Sequence, residues 1–189
     1  MRYTLRLLTA QQFERASTLI CALEQIRKRE RDRFGEEPVS IGLWVGQGLS
    51  PNDDADAVTS LKELQSKPNA PNRFVLTKCP WCGAKMGVVI ERPRRTVRGL
   101  RHALKPSRVE LHCDAPDCEF SGEGGLPVHV VDKRIYEERP SLIIGTVDKF
   151  AMLPWREQST VGRIFGVDQE GPNPPTLVIQ DELHLIAGP

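Results

Sequence analysis

The sequence predicts an α/β protein, part of an open parallel sheet flanked by helices and interrupted by a small β-rich module. Three observations predict it. Short, largely apolar runs (VSIGLWV at 39–45, SLIIG at 141–145, TLVIQ at 176–180) alternate with stretches of helical periodicity, as expected of parallel strands covered by helices on both faces. That rhythm breaks after the PNAPN linker at 68–72. Beyond the linker, residues 73–131 carry four of the five cysteines in two close pairs, with little helical periodicity. The expected division is one α/β unit from 1–66 and 134–189, with 73–131 as an insertion.

Taken in order, Tyr3-Thr4 reads as the end of a strand. From Leu7 to Arg33, Leu8, Phe13, Ala16, Leu19, Ile20, Leu23 and Ile26 recur at helical spacing and mark one face. Thr9 with Gln12 forms a possible capping box, and Gly35 and Pro38 end the helix. The strand at 39–45 closes on Gly46-Gln47-Gly48. A shorter helix from Asp54 to Gln65 is expected to bury Val58, Leu61 and Leu64. In the insertion, FVL, MGVVIE, RVELH and PVHVV are β-prone. The strand at 141–145 leads into helical turns through Asp148–Trp155 and Trp155–Phe165. A rigid loop from Gly171 to Pro175 then delivers the strand at 176–180.

Composition excludes little. The hydrophobic fraction of 39%, charged fraction of 27% and net charge of +1 are those of a soluble globular chain, so any nucleic-acid signal must be local. No apolar run approaches the roughly 20 residues that span a bilayer, and MRYTLRLLTAQQ lacks the apolar core of a secretory signal. The expected location is the cytoplasm.

The cysteines point to a metal. In Cys79-Pro-Trp-Cys82-Gly83 a tight turn can aim two thiolates at one ion, and Cys113-Asp-Ala-Pro-Asp-Cys118 supplies a second pair. Four thiolates in a tetrahedron make a closed structural Zn²⁺ site, which a module too small to bury a large core needs for stability. A redox C-x-x-C is the alternative, although it would need no second pair. His112 and His129 are possible substitute ligands, and Cys21 reads as core. Between the pairs run Arg92, Arg94, Arg95, Arg98, Arg101, Lys105 and Arg108, with no acidic residue from Arg92 to Val109. Such an arm either tracks phosphates or is a solvated hairpin.

Asp181-Glu182-Leu183-His184 follows directly on TLVIQ. Two adjacent carboxylates at the carboxyl end of a buried parallel strand lie where open α/β sheets bind ligands. One can face a magnesium ion while the other faces a water, a division that suits phosphoryl transfer. The alternatives are an acidic turn with a solvated histidine, or a metallohydrolase site, for which too few ligands share a face.

This strand-D-E-x-H pattern resembles motif II of the superfamily-two DExH helicases. The resemblance implies that Asp181 holds Mg²⁺, that Glu182 is the general base, and that His184 couples nucleotide state to the nucleic-acid site. Gly145-Thr-Val-Asp-Lys-Phe150 resembles motif Ib, which implies nucleic-acid phosphate contacts from Thr146, Asp148 and Lys149. Tyr3-Thr-Leu-Arg-Leu-Leu-Thr-Ala-Gln-Gln12 resembles motif Ia, which implies the same for Thr4, Arg6 and Gln12. Gly46 and Gly48 resemble the glycine pair between those motifs. The phrases YTLRLLTAQQF, GTVDKFAMLPW and QDELHLI look most like the zinc-containing helicases of anti-phage defence islands of the DISARM type.

The resemblance implies an incomplete RecA-like sheet broken by a zinc ribbon, with ATP, Mg²⁺ and Zn²⁺ as cofactors and DNA or RNA as partner. Two departures qualify it. No G-x-x-x-x-G-K-[S/T] occurs in the sequence, and Thr4 stands where a proline is usual. The phosphate-binding loop and the second motor domain are therefore expected outside a truncated piece that does not hydrolyse ATP alone. A zinc-ribbon nucleic-acid-binding module without nucleotide chemistry is the competing expectation.

Overall fold

The computed structural model describes residues 2–46, 48–151, 155, 162, 164–165 and 175–179, with side chains from residue 10 onward. Helix α1 spans Arg2–Arg29, and a short α2 spans Arg31–Phe34. The strand end expected at Tyr3-Thr4 is thus helical. Leucine, arginine, alanine and glutamine dominate this stretch and favour helix. At the other end, Gly35 takes φ 79° and turns the chain away.

The buried face of α1 overlaps only in part with the apolar stripe read from the sequence: Phe13 and Ile20 are buried and Ala16 packs against the core. Phe13, Ser17, Ile20, Cys21, Glu24 and Arg27 are buried, whereas Leu19, Leu23 and Ile26 are 59%, 41% and 45% exposed. A buried ion pair decides the rotation. Arg27 donates to both oxygens of Glu24 at 2.7 and 2.8 Å and to the carbonyls of Gly35 and Glu36. Glu24 also accepts from the Val39 amide at 2.9 Å. The pair ties the helix to the chain entering the first strand.

Burial disfavours the ionised form of Glu24, but the Arg27 guanidinium and the Val39 amide outweigh it and hold the carboxyl below its ordinary range. A lowered folded-state pKa contributes stability that is present above the unfolded value and lost as pH falls through the folded one. Glu24→Gln is therefore expected to cost about 2 kcal/mol at neutral pH. Urea titrations of both proteins should converge as pH drops below about 4.5.

Strand β1, Ile41–Trp44, is buried along its whole length. Helix α3, Asp54–Ser66, starts at Asp53, whose side chain accepts from the Asp56 amide at 2.8 Å, an ordinary N-cap. It buries Ala57, Ser60, Leu61 and Leu64. FVL forms no strand: Val75 takes φ 65°, outside the extended region, while Phe74 and Leu76 are both buried. Two antiparallel hairpins follow, β2 (Gly87–Glu91) with β3 (Arg94–Arg98) and β4 (Leu100–Leu104) with β5 (Ser107–Leu111).

PVHVV does not belong with these hairpins. Its Val128–His129 forms β6, parallel to β1, with Ile41 opposite Val128 and Gly42 opposite His129. The run does not alternate, with Val128, Val130 and Val131 all buried, which suits a strand covered on both faces. Helix α4, Asp132–Glu138, then leads to β7, Leu142–Gly145, and to α5, Val147–Ala151. β7 is parallel to β1 from Ile41–Leu142 to Trp44–Gly145, so the sheet order is β6-β1-β7.

The strand expected at 176–180 is absent from the described part of that stretch. Residues 176–179 join no strand, and Leu177, Val178 and Ile179 are 72%, 68% and 79% exposed. An apolar run becomes a buried strand only where a sheet edge and a covering layer receive it. β7, at the edge of the sheet, is itself only partly covered, with Leu142 exposed and Ile143 to Gly145 half-buried. No helix among the described residues is long and apolar enough to cross a membrane.

Candidate functional site

The metal centre is built from two turns. After Cys79, the Gly83 amide returns to the Cys79 carbonyl at 2.9 Å, and the Cys79 amide donates to Ala84 at 2.7 Å. Gly83 takes φ 77°, the left-handed geometry this knuckle needs. The second pair leaves β5: the Cys113 amide donates to Phe120, and the Cys118 amide to Ala115. The Ala115 amide also points at the Cys113 sulfur, 3.4 Å away.

All four sulfurs lie within 4.8 Å of one another, with Cys79 Sγ 3.9 Å from Cys118 Sγ and Cys82 Sγ 3.4 Å from Cys113 Sγ. These separations far exceed the roughly 2.05 Å of a disulfide. They approach the ~3.8 Å edge of a tetrahedron with Zn–S bonds of about 2.3 Å. The donor set therefore fits a metal such as zinc. Its environments differ. At Cys82 burial opposes ionisation, but the Ala84 amide and the neighbouring thiols hold the thiol below its ordinary value. Burial pushes Cys113 up and takes Cys118 to about 11.

Neither histidine joins the cluster. His112 Nε2 lies 2.8 Å from Asp114 Oδ1, and His129 lies in β6, where burial lowers its pKa. Cys21 is core, as expected, but core beside the metal centre. Burial, then the proximity of Cys79 and Cys118, pushes its thiol to about 12. The module also grips α1 through Lys28 over the Phe120 ring at 5.3 Å and Arg29 with Glu119 at 3.0 Å.

The basic arm is partly engaged within the chain. Arg95 donates to the carbonyls of Leu64, Gln65 and Lys67 and so caps the end of α3. Arg98 pairs with Glu91, and Arg101 and Arg108 share Glu110. Sequence reading missed these acids because Glu91 and Glu110 stand just outside the run and meet Arg98 and Arg101 across strands. Arg92, Arg94 and Lys105 are exposed.

The second region is the carboxyl edge of the sheet. β1 ends at Trp44 and β7 at Gly145, paired in register, and the Thr146 amide donates to the Trp44 carbonyl at 3.1 Å. Gly46, Gly48 and Thr146 therefore leave one crest. A Cβ at Gly46 or Gly48 would meet nothing within 4 Å, so packing inside the chain does not demand glycine there. The Thr146 hydroxyl is buried and has no hydrogen-bond partner among the described residues. Asp148 is exposed, and so is Gln12 on α1.

Lys149, expected to reach a phosphate, instead turns inward. It is 5% exposed, pairs with the equally buried Asp132 and lies 6.0 Å from the centre of the Trp44 ring. Trp44 in turn donates to the Tyr136 hydroxyl at 3.0 Å and stacks edge-on with Phe150. A nearby carboxylate and an aromatic face outcompete solvent for the ammonium. Asp132, which sequence reading overlooked, closes the crest. It stands just after the PVHVV run, and placing that run in the parallel sheet would have exposed it. Thr4 and Arg6 lie on α1, their side chains outside the described residues, as are Asp181, Glu182 and His184.

These features define a mixed α/β protein with a small parallel sheet, flanking helices and a four-cysteine cluster able to hold a metal such as zinc. The chain is related to the DISARM defence proteins: it is 34% identical over 233 residues to the DISARM protein DrmA of Bacillus paralicheniformis (strain ATCC 9945a / NCIMB 11709 / CD-2). That similarity takes in 100% of this chain but 19% of DrmA, so the chain spans about a fifth of the relative's length. No protein-family profile matches the chain.

Proposed function

We propose that this chain is a piece of an ATP-driven nucleic-acid helicase or translocase of phage defence, acting in the cytoplasm. The observation that carries the reading is the shared crest. Two neighbouring parallel strands deliver the Gly46/Gly48 loop and the Thr146 loop to the edge where open α/β sheets hold ligands. Among the described residues the Thr146 hydroxyl has no hydrogen-bond partner, and a phosphate oxygen of DNA or RNA would supply one. Whole-chain similarity to a DISARM protein supports the defence role.

In this reading Asp181 holds Mg²⁺, Glu182 activates the attacking water, and His184 relays the nucleotide state. ATP turnover belongs to the whole protein, with a phosphate-binding loop and a second RecA-like domain completing the motor. The four-cysteine cluster, with zinc, is structural. Lys149 positions the Thr146 loop from within and does not touch the nucleic acid.

The test is Glu182→Gln in the whole protein, where ATP turnover should vanish while nucleotide binding persists. Surviving turnover would remove Glu182 as the base, whereas an absence of ATP turnover in the unaltered whole protein would remove the motor reading. The exposure of Leu177 to Ile179 favours a second reading for the chain taken alone, a zinc-ribbon module that binds nucleic acid without handling nucleotide.

A further inference from the structure

Beside the metal knuckle, α1 and the first cysteine turn enclose an open cleft of about 330 Å³, lined by Glu14, Thr18, Lys78, Trp81 and Gly83 among others. Its chemistry is unlike that of the crest. Trp81 is 37% exposed although it belongs to a tight turn. Its ring is fixed edge-on against Phe120, with centroids 6.0 Å apart and planes at 78°, so the cleft is lined by an aromatic ring that is already oriented. On the α1 side the same cleft is lined by the Glu14 carboxylate, to which Thr77 donates weakly at 3.4 Å. Lys78 lies on the wall and is bridged across the turn to Lys85, and both are exposed.

We propose that this cleft receives one unpaired nucleobase of a single-stranded nucleic acid, stacked on Trp81 and read by Glu14. A fixed aromatic ring offers stacking that any base can use. A carboxylate is an acceptor only, so it rewards the exocyclic amine of cytosine, adenine or guanine and sets two carbonyl oxygens of thymine or uracil against a negative charge. The two lysines attract the flanking phosphates. They would repel the side chain of a basic peptide, the other occupant that an aromatic ring and a carboxylate could hold. The site is separate from the crest and stands whether or not the chain is part of an ATP-driven motor.

The test uses the full zinc-loaded chain and labelled short oligo-dC, oligo-dT and an oligo-lysine peptide, with anisotropy read at one low salt concentration. Oligo-dC should bind roughly fivefold to tenfold more tightly than oligo-dT. Glu14→Gln, nearly isosteric and able to donate as well as accept, should bring the two within about twofold. Trp81→Ala should weaken both by roughly tenfold, whereas Trp81→Phe keeps a ring and should retain most of the affinity. Zinc content measured on each variant separates loss of the ring from loss of the knuckle.

Equal binding of the two oligonucleotides by the wild type would overturn the proposal. So would a preference unchanged in Glu14→Gln, or unaltered oligo-dC binding by Trp81→Ala. Binding of the peptide in place of oligonucleotide, lost in Trp81→Ala, would assign the cleft to a protein partner. None of these outcomes depends on Glu182, so failure here leaves the motor reading to its own test.

Discussion

Replacing Cys118 with serine, or stripping metal with a chelator, is expected to unfold the two hairpins while leaving the β6-β1-β7 sheet paired. Each hairpin has only two strands, too few to be stable alone in water. The apolar side chains that the cysteine module buries, among them Met86, Val109, Leu111 and Phe120, form one cluster with residues of α1 and α3 and make no separate core of their own. Structural zinc supplies on the order of 10 kcal/mol in comparable small sites at neutral pH, more than such a core can replace. Metal analysis should give about one zinc per chain for the wild type and almost none for Cys118→Ser. Hydrogen exchange should show β2 to β5 losing protection and β1 keeping it. Retained protection in the metal-free protein would show that the hairpins stand on their own core. Because binding displaces thiol protons, metal affinity should fall as pH falls.

The second large effect lies at the crest. Asp132→Ala should cost about 3–5 kcal/mol, since it strands the Lys149 ammonium in a site where that residue is 5% exposed. In urea the midpoint should drop with an unchanged slope, the signature of lost stability without a change in the surface exposed on unfolding. The double replacement Asp132→Leu with Lys149→Met should recover most of the loss, because a well-packed apolar pair escapes the desolvation cost of two buried charges. If Asp132→Ala proved as stable as the wild type, the inward orientation of Lys149 would be wrong. The lysine would then be available to a phosphate, as its place in GTVDKF implies.

What could be read in advance was local. The apolar spacing that ends in Leu61 and Leu64 placed α3 to within a residue of its end, since that signal acts over neighbouring turns of one helix. The runs at 39–45 and 141–145 identified β1 and β7 because a short continuous apolar run marks a strand of a covered parallel sheet without its partner's sequence. The cysteine spacing brought out the metal centre for the same reason. Failures came where a distant partner decides the outcome. PVHVV is as β-prone as its neighbours, and only its pairing with Ile41 and Gly42 removes it from the hairpins. Leu19, Leu23 and Ile26 make a better apolar stripe than the face α1 buries, yet the Glu24–Arg27 pair and its bonds to Val39, Gly35 and Glu36 set the rotation. Asp132 captures Lys149 across the end of β1, a contact that no spacing rule along the chain anticipates.

The parallel pairing of β1 with β6 places the whole cysteine module inside the connection between two adjacent strands. Closing a longer loop costs more chain entropy, and contacts between segments remote along the chain form slowly. A metal that joins Cys79 to Cys118 early shortens the path that must be searched before Val128 can find Ile41. An ion held by the four cysteines would thus act as a kinetic staple for a sheet it does not touch, and zinc-starved synthesis is expected to delay assembly of the central strands even though none of their own side chains belongs to the cysteine cluster.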